Sequence, residues 1–309
     1  MVVSKKSVNF VNCTYSQINL LNLMKSKLNA IVMESKFFLL IIGLLLFVGC
    51  TDDDKTEPTQ RYRVLSETLA TDQYGVGFRS HDIALGLEVQ RIMDGMIEDG
   101  TAEAISRKWF GENIILRNQP FLKESTASAS DNSLQNIKNK GELIVGGMAY
   151  QPLFIWQGGS FSGFDVELAQ EVAKRMDVNI VFKPMAWEDK TILLNNGEID
   201  CIWSGFSITP ARLDSVFVAK GYCNNRSVVF VPGNSPIKNI SQLEGKNVGV
   251  IAGAAHIDYL QAHSVYPKIK NTIPANSAAE LLVALDAGTI DAFVIDEIVA
   301  LFFIKNFGN

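Results

Sequence analysis

Between residues 143 and 295, short apolar runs alternate with amphipathic stretches of helical spacing, and that alternation leaves few architectures open. Leu143–Gly147, Asn179–Lys183, Ile199–Trp203, Val228–Val231, Val248–Ile251 and Ala292–Ile295 read as strands. Val166–Met176, Asp189–Asn196 and Ala278–Ala287 read as helices between them, with Asp165 set to cap the first. Strand and helix in turn build α/β layers. The front stretch, 61–117, has the same character. Tyr62–Leu65 and Gly75–Phe78 are strand-like, and Ala84–Ile97 is a helix with Leu85, Val89, Ile92, Met93 and Met96 in one stripe. Asp99-Gly100 ends it, and a second short helix runs from Thr101 to Trp109-Phe110-Gly111. Residues 118–139 are rich in Ser, Ala and Asn and read as a linker.

Composition excludes several classes. Hydrophobic residues make up 47% and charged residues 20%, a globular balance. A net charge of −5 with no clustered basic face argues against nucleic acid as a partner. No CxxC or His/Cys spacing suggests a metal, no cofactor is expected, and Cys201 and Cys223 read as buried free thiols. Phe37–Val48 is a 12-residue apolar run, short of the roughly 20 residues that span a bilayer and better suited to a signal-peptide core. It ends in Phe47-Val48-Gly49-Cys50, which looks like a bacterial lipobox with Cys50 as the acylated residue. An uncleaved short anchor is the alternative. Residues 1–50 are thus read as a signal peptide and lipobox with an over-extended start, Met33 being a plausible true one, and 51–60 as a solvated tether.

Four blocks carry a family resemblance. Gly141-Glu142-Leu143-Ile144-Val145-Gly146 resembles the first strand of the polar amino-acid-binding proteins of ABC importers, the bacterial extracellular solute-binding proteins of family 3. Gly163-Phe164-Asp165-Val166-Glu167-Leu168-Ala169 is similar to that family's GFDxxLA signature. Asp200 to Arg212 resembles its ligand loop, and Leu243 to Val250 the opening of its second lobe. Residues 61–117 resemble the C-terminal end of the same family, here placed in front.

The resemblance implies an α/β, two-lobed periplasmic-binding-protein-like fold of type II, circularly permuted. Lobe 1 would take 74–117 and 140–220, and lobe 2 would take 221–309 and 61–73. Crossings are expected near Ala219–Tyr222 and Gln73–Val76, with the chain's end beside Arg61. The 22-residue linker 118–139 reaches up to roughly 70 Å extended, enough to join the old ends.

The resemblance also implies a ligand site. Arg212 would clamp an amino-acid carboxylate as a bidentate donor, beside Ser204, Gly205 and Ser207. Asp296, on the opposite lobe, would meet the α-ammonium. Gly253-Ala254-Ala255-His256 opens a helix whose N–H groups can receive carboxylate oxygen, with Ala255 and His256 as contacts and His256 partly replacing absent hydroxyls. Trp187 and Tyr150 would be aromatic walls. Taken alone, Arg212 reads as a helix-start charge, Asp296 as a helix N-cap, Trp187 as core and His256 as a surface or capping residue. Where the family often has an acid, this chain has Met148, which favours a neutral, polar or sulfur-containing amino acid over a cationic one.

The function these readings imply is a monomeric, lipid-anchored receptor on the extracytoplasmic face, delivering an amino acid to an ABC permease. A non-functional or domain-swapped fusion of two fragments is the alternative. A dehydratase on the same fold is a further one, disfavoured because no second carboxylate is evident beside Asp296.

Overall fold

The computed structural model describes residues 60–123 and 126–308. The apolar run 37–48, Cys50 and all but the last residue of the tether lie outside the described residues.

The first strand, β1, spans Tyr62–Arg79 without a break, where two separate strands were expected. The intervening Ser66–Gln73 stretch is polar and half-exposed, so no apolar alternation marks it. It is held as a strand by its ladder to another segment distant in sequence. Helices α1 (Ile83–Glu98), α2 (Thr101–Phe110) and α3 (Ser133–Lys140) follow. Next come β2 (Glu142–Gly147), the hairpin β3 (Ile155–Gln157) and β4 (Ser160–Ser162), α4 (Phe164–Met176) and β5 (Asn179–Pro184). Lobe 1 ends with α5 (Lys190–Asn195), β6 (Cys201–Ser207), α6 (Pro210–Leu213) and β7 (Val216–Phe217). Lobe 2 holds β8 (Cys223–Pro232), β9 (Asn247–Ile251), α7 (Ala255–Ala262), β10 (Asn271–Ala275), α8 (Ala278–Asp286), β11 (Ala292–Asp296) and α9 (Glu297–Phe307).

The main sheet runs β10-β9-β11-β8-β1-β6-β2-β5, with β7 beside β1. Its two outer portions are parallel, and β1 joins them antiparallel to both β8 and β6. Tyr74 is the switch point: it pairs with Cys223 of β8 and with Ser207 of β6. Its carbonyl accepts the Tyr222 N–H at 2.8 Å, so the two crossing segments change lobe side by side. At the other end of β1, Arg61 N–H donates to Gly308 O at 3.0 Å, and Tyr62 Oη donates to Asp286 at 2.6 Å. The start of β1 therefore lies against the end of α9.

The stripe Leu85, Val89, Ile92, Met93 and Met96 is buried throughout. Burying each such side chain contributes about 1.5–3 kcal/mol, which is what holds α1 on the lobe 1 sheet. In lobe 2, Phe230 stacks on Phe293 with ring centroids 4.7 Å apart and touches Tyr62 at 5.3 Å. The front segment is thus part of both cores.

Two local expectations are corrected. The stretch 118–139 is not wholly a linker: α3 begins at Ser133 and buries Ile137. Asp131 and Ser133 accept the Ala84 and Leu85 N–H groups at 2.7 and 3.1 Å, supplying acceptors that the first turn of α1 lacks. Asp165 does not cap α4 either; Gly163 holds that position and Asp165 turns inward.

Candidate functional site

The lobe 1 half of the site begins at the end of β6. Gly205 sits at φ 57°, a left-handed conformation that Gly adopts without penalty. Its N–H donates to Asp165 Oδ2 at 2.8 Å, and Asp165 Oδ1 accepts from Tyr222 Oη at 2.8 Å. Burial pushes the Asp165 carboxyl up to about 7, against the pull of those two donors. The GFD motif therefore braces the turn at Gly205 instead of capping its own helix. Ser204 Oγ donates to Met148 O at 3.1 Å, tying β6 to the loop after β2. Thr209 Oγ1 accepts the Arg212 N–H at 3.2 Å with Pro210 in the first helical turn, which starts α6 at a fixed residue and sets Arg212 at the cleft.

Arg212 Nη1 donates to Ser207 O at 2.8 Å, and Nη2 reaches across the cleft to Gly253 O at 3.3 Å. The guanidinium lies over Phe206 at 4.7 Å and near Trp187 at 6.0 Å. Lys190 converges on the same lobe 2 carbonyl. Its ammonium donates to Gly253 O at 2.9 Å and to Trp187 O at 3.0 Å, and lies 5.1 Å from the Trp187 ring centre. Burial and the neighbouring Arg212 push Lys190 down to about 7.

In lobe 2, β11 ends at Asp296, which is buried. Its backbone stands at the N-cap of α9, but its side chain makes no capping bond. Oδ2 accepts from Tyr150 Oη at 2.7 Å across the cleft, and Oδ1 accepts from Asn225 Nδ2 at 2.7 Å. His256 Nδ1 stands 3.7 Å from Oδ1. Burial pushes the Asp296 carboxyl up, and His256, Tyr150 and Asn225 together more than offset that, leaving it below the usual carboxylate range. His256 is buried, not a surface residue, and its Nε2 has no hydrogen-bond partner among the described residues. The α7 N-terminus presents the Ala255 and His256 N–H groups, which a helix's first turn leaves without intrahelical acceptors.

Arg212, Asp296, Ser207, Gly205, Ser204, Trp187, Ala255, His256 and Tyr150 all line one small cavity, joined by Met148, Ile251 and Ala254. Among the described residues, Asp296 is the one carboxylate in that lining. Lys190 and Asp72, just outside it, have no signal in the sequence: each depends on a partner brought in by the fold. Asp72 of β1 shares Asn225 with Asp296, at 2.9 Å, so a second carboxylate does stand near Asp296, contrary to expectation.

Two α/β lobes joined by paired crossing strands, with a guanidinium and a carboxylate facing one small cavity from opposite sides, define a solute-binding clamshell. The chain belongs to the bacterial extracellular solute-binding proteins, family 3, whose profile matches residues 143–288. It is 30% identical to the arginine-binding extracellular protein ArtP of Bacillus subtilis over 59% of this chain and 71% of that one. It is 28% identical to the L-cystine-binding protein TcyJ of Escherichia coli over 59% and 69%. Among solved structures it is similar to an ABC uptake transporter substrate-binding protein from Streptococcus pneumoniae with bound histidine. That match has a TM-score of 0.55 and 26% identity, and covers 58% of this chain and 74% of the other.

Proposed function

We propose that this protein captures a free α-amino acid outside the cytoplasm and hands it to an ABC importer, acting by binding and release without turnover. The observation that carries the reading is the opposition of Arg212 and Asp296 across a single cavity. A zwitterion placed there meets a planar two-pronged donor at its carboxylate and an anion at its ammonium. Each charge-assisted bond of this kind contributes roughly 1.5–3 kcal/mol. Because the two groups belong to different lobes, the ligand stabilises the closed form over the open one.

The preferred ligand is a neutral or polar amino acid. The lining offers its side chain Met148, Tyr150, Trp187 and Ile251, and its one carboxylate is taken by the ammonium. Among the described residues, a cationic side chain would find no second anion in the lining. Cys50 serves as the lipid anchor of the mature protein.

The chain reads as a circular permutant in which residues 61–117 complete the fold begun at 140. The Arg61–Gly308 backbone bond and the position of β1 between β8 and β6 support this. So does the match to ArtP, which covers 71% of that protein and leaves the rest unmatched. Calorimetric titration with the common L-amino acids and L-cystine tests the proposal. Micromolar or tighter binding of a neutral member, lost in Arg212→Lys, is expected. Tight preference for arginine would refute the specificity, and binding of none would refute the receptor.

A further inference from the structure

Asp72 lies in the middle of β1, where the strand passes between lobes. Its carboxylate accepts from Tyr259 Oη of α7 at 2.6 Å and from Asn225 Nδ2 at 2.9 Å. The same Nδ2 donates to Asp296 Oδ1 at 2.7 Å. An amide NH₂ carries two hydrogens, so one group serves both carboxylates. The other end of that amide, Asn225 Oδ1, accepts from the buried Tyr74 Oη at 3.1 Å. A rotated Asn225 would turn its oxygen toward two anions and lose both bonds to them, so the two carboxylates fix its orientation. Asp296 is in turn held on its hinge side, and Tyr150 engages its other oxygen.

We propose that Asp72 is a positioning residue of the ligand site: it locks Asn225, and through it presents the Asp296 carboxylate to the ligand's ammonium. This rests on the amino-acid reading above. It also means that the front segment supplies a working part of the site as well as a strand. Burial raises the Asp72 carboxyl above its ordinary range, with Tyr259, Asn225 and Ser207 pulling against it and Asp296 adding to the rise. Arg212 is the cation that faces this group. As pH falls through that raised value, Asp72 loses its charge and its grip on Asn225 weakens before Asp296 itself is protonated.

The test is calorimetric titration of the full chain with L-glutamine, L-methionine and L-arginine between pH 4 and 8. Wild-type affinity for the preferred probe is expected to fall on the acid side. Asp72→Asn is expected to bind at least tenfold more weakly at pH 7.5, about 1.4 kcal/mol, and to lack that acid limb. Tyr259→Phe removes one donor to the ionised carboxylate, so its acid limb should move to higher pH. This variant carries the test if Asp72→Asn does not fold. Wild-type affinity with an unchanged acid limb in Asp72→Asn, or an unmoved limb in Tyr259→Phe, overturns the role of Asp72 alone. A wild type that binds none of the probes or any other amino acid overturns the reading beneath it.

Discussion

Replacing Lys190 with Met should uncouple closure of the cleft from pH. The ammonium belongs to lobe 1, but one of its two acceptors, Gly253 O, belongs to lobe 2, so opening returns it to water. Its ordinary value is 10.5, and in the closed protein it is pushed down to about 7 by burial and by Arg212. For a base lowered in the closed form, the penalty on closing is complete below about 7. It shrinks as pH rises and is gone above the ordinary lysine range.

Binding should therefore tighten between pH 7 and about 10, by at most about tenfold per pH unit. The charged form is disfavoured by a ceiling of about 5 kcal/mol. Only part of this falls on the closing step, because Trp187 covers the ammonium in lobe 1 either way. If opening frees Lys190 fully, ligand binding releases about 0.9 proton at pH 8 and about 0.1 at pH 6.

Titration calorimetry in two buffers of different ionisation enthalpy counts these protons. The other charged groups facing Lys190 are Arg212, Asp258 and Glu188, none of a type that ordinarily titrates in this window. Lys190→Met should release almost none at either pH. Equal release at pH 6 and 8 in the wild type, or release that persists in the variant, would refute the reasoning.

Two further outcomes follow from single residues. A Cβ on Gly253 would stand 2.9 Å from the Glu188 Cα of the facing lobe, at φ 70°. Gly253→Ala should thus weaken binding about tenfold beyond the left-handed penalty of about 1–2 kcal/mol. Gly245→Ala, at φ 73° with nothing within 4 Å, pays only that penalty, and comparing affinity and melting of the two variants isolates the clash. Asp165, raised to about 7 in the fold, favours its neutral form there, so it lowers wild-type stability as pH climbs from the usual carboxylate range through 7. Asp165→Asn should flatten that slope in melting curves from pH 4 to 8. An unchanged slope would show that Asp165 is not the titrating group.

The elements with dense apolar periodicity were legible from residues alone. The stripe from Leu85 to Met96 and the runs at Val228 and Ala292 announce themselves because local burial dictates their spacing. Ser66–Gln73 announces nothing, since its strand exists through pairing with β8. Asp165 misled for a related reason: an acid ahead of an apolar helix looks like a cap until a distant N–H claims it. Ser133 and Asp131 sit in a polar stretch whose order comes from serving the start of another helix.

By itself the sequence determined the α/β alternation and the apolar faces, because each depends on neighbours a few positions away, whereas the ligand-site residues were marked only by the family resemblance. Tertiary structure alone decided that Lys190 and Arg212 meet one carbonyl and that Asp72 shares an amide with Asp296. Those outcomes hinge on pairing between segments far apart along the chain, whose geometry no local pattern encodes.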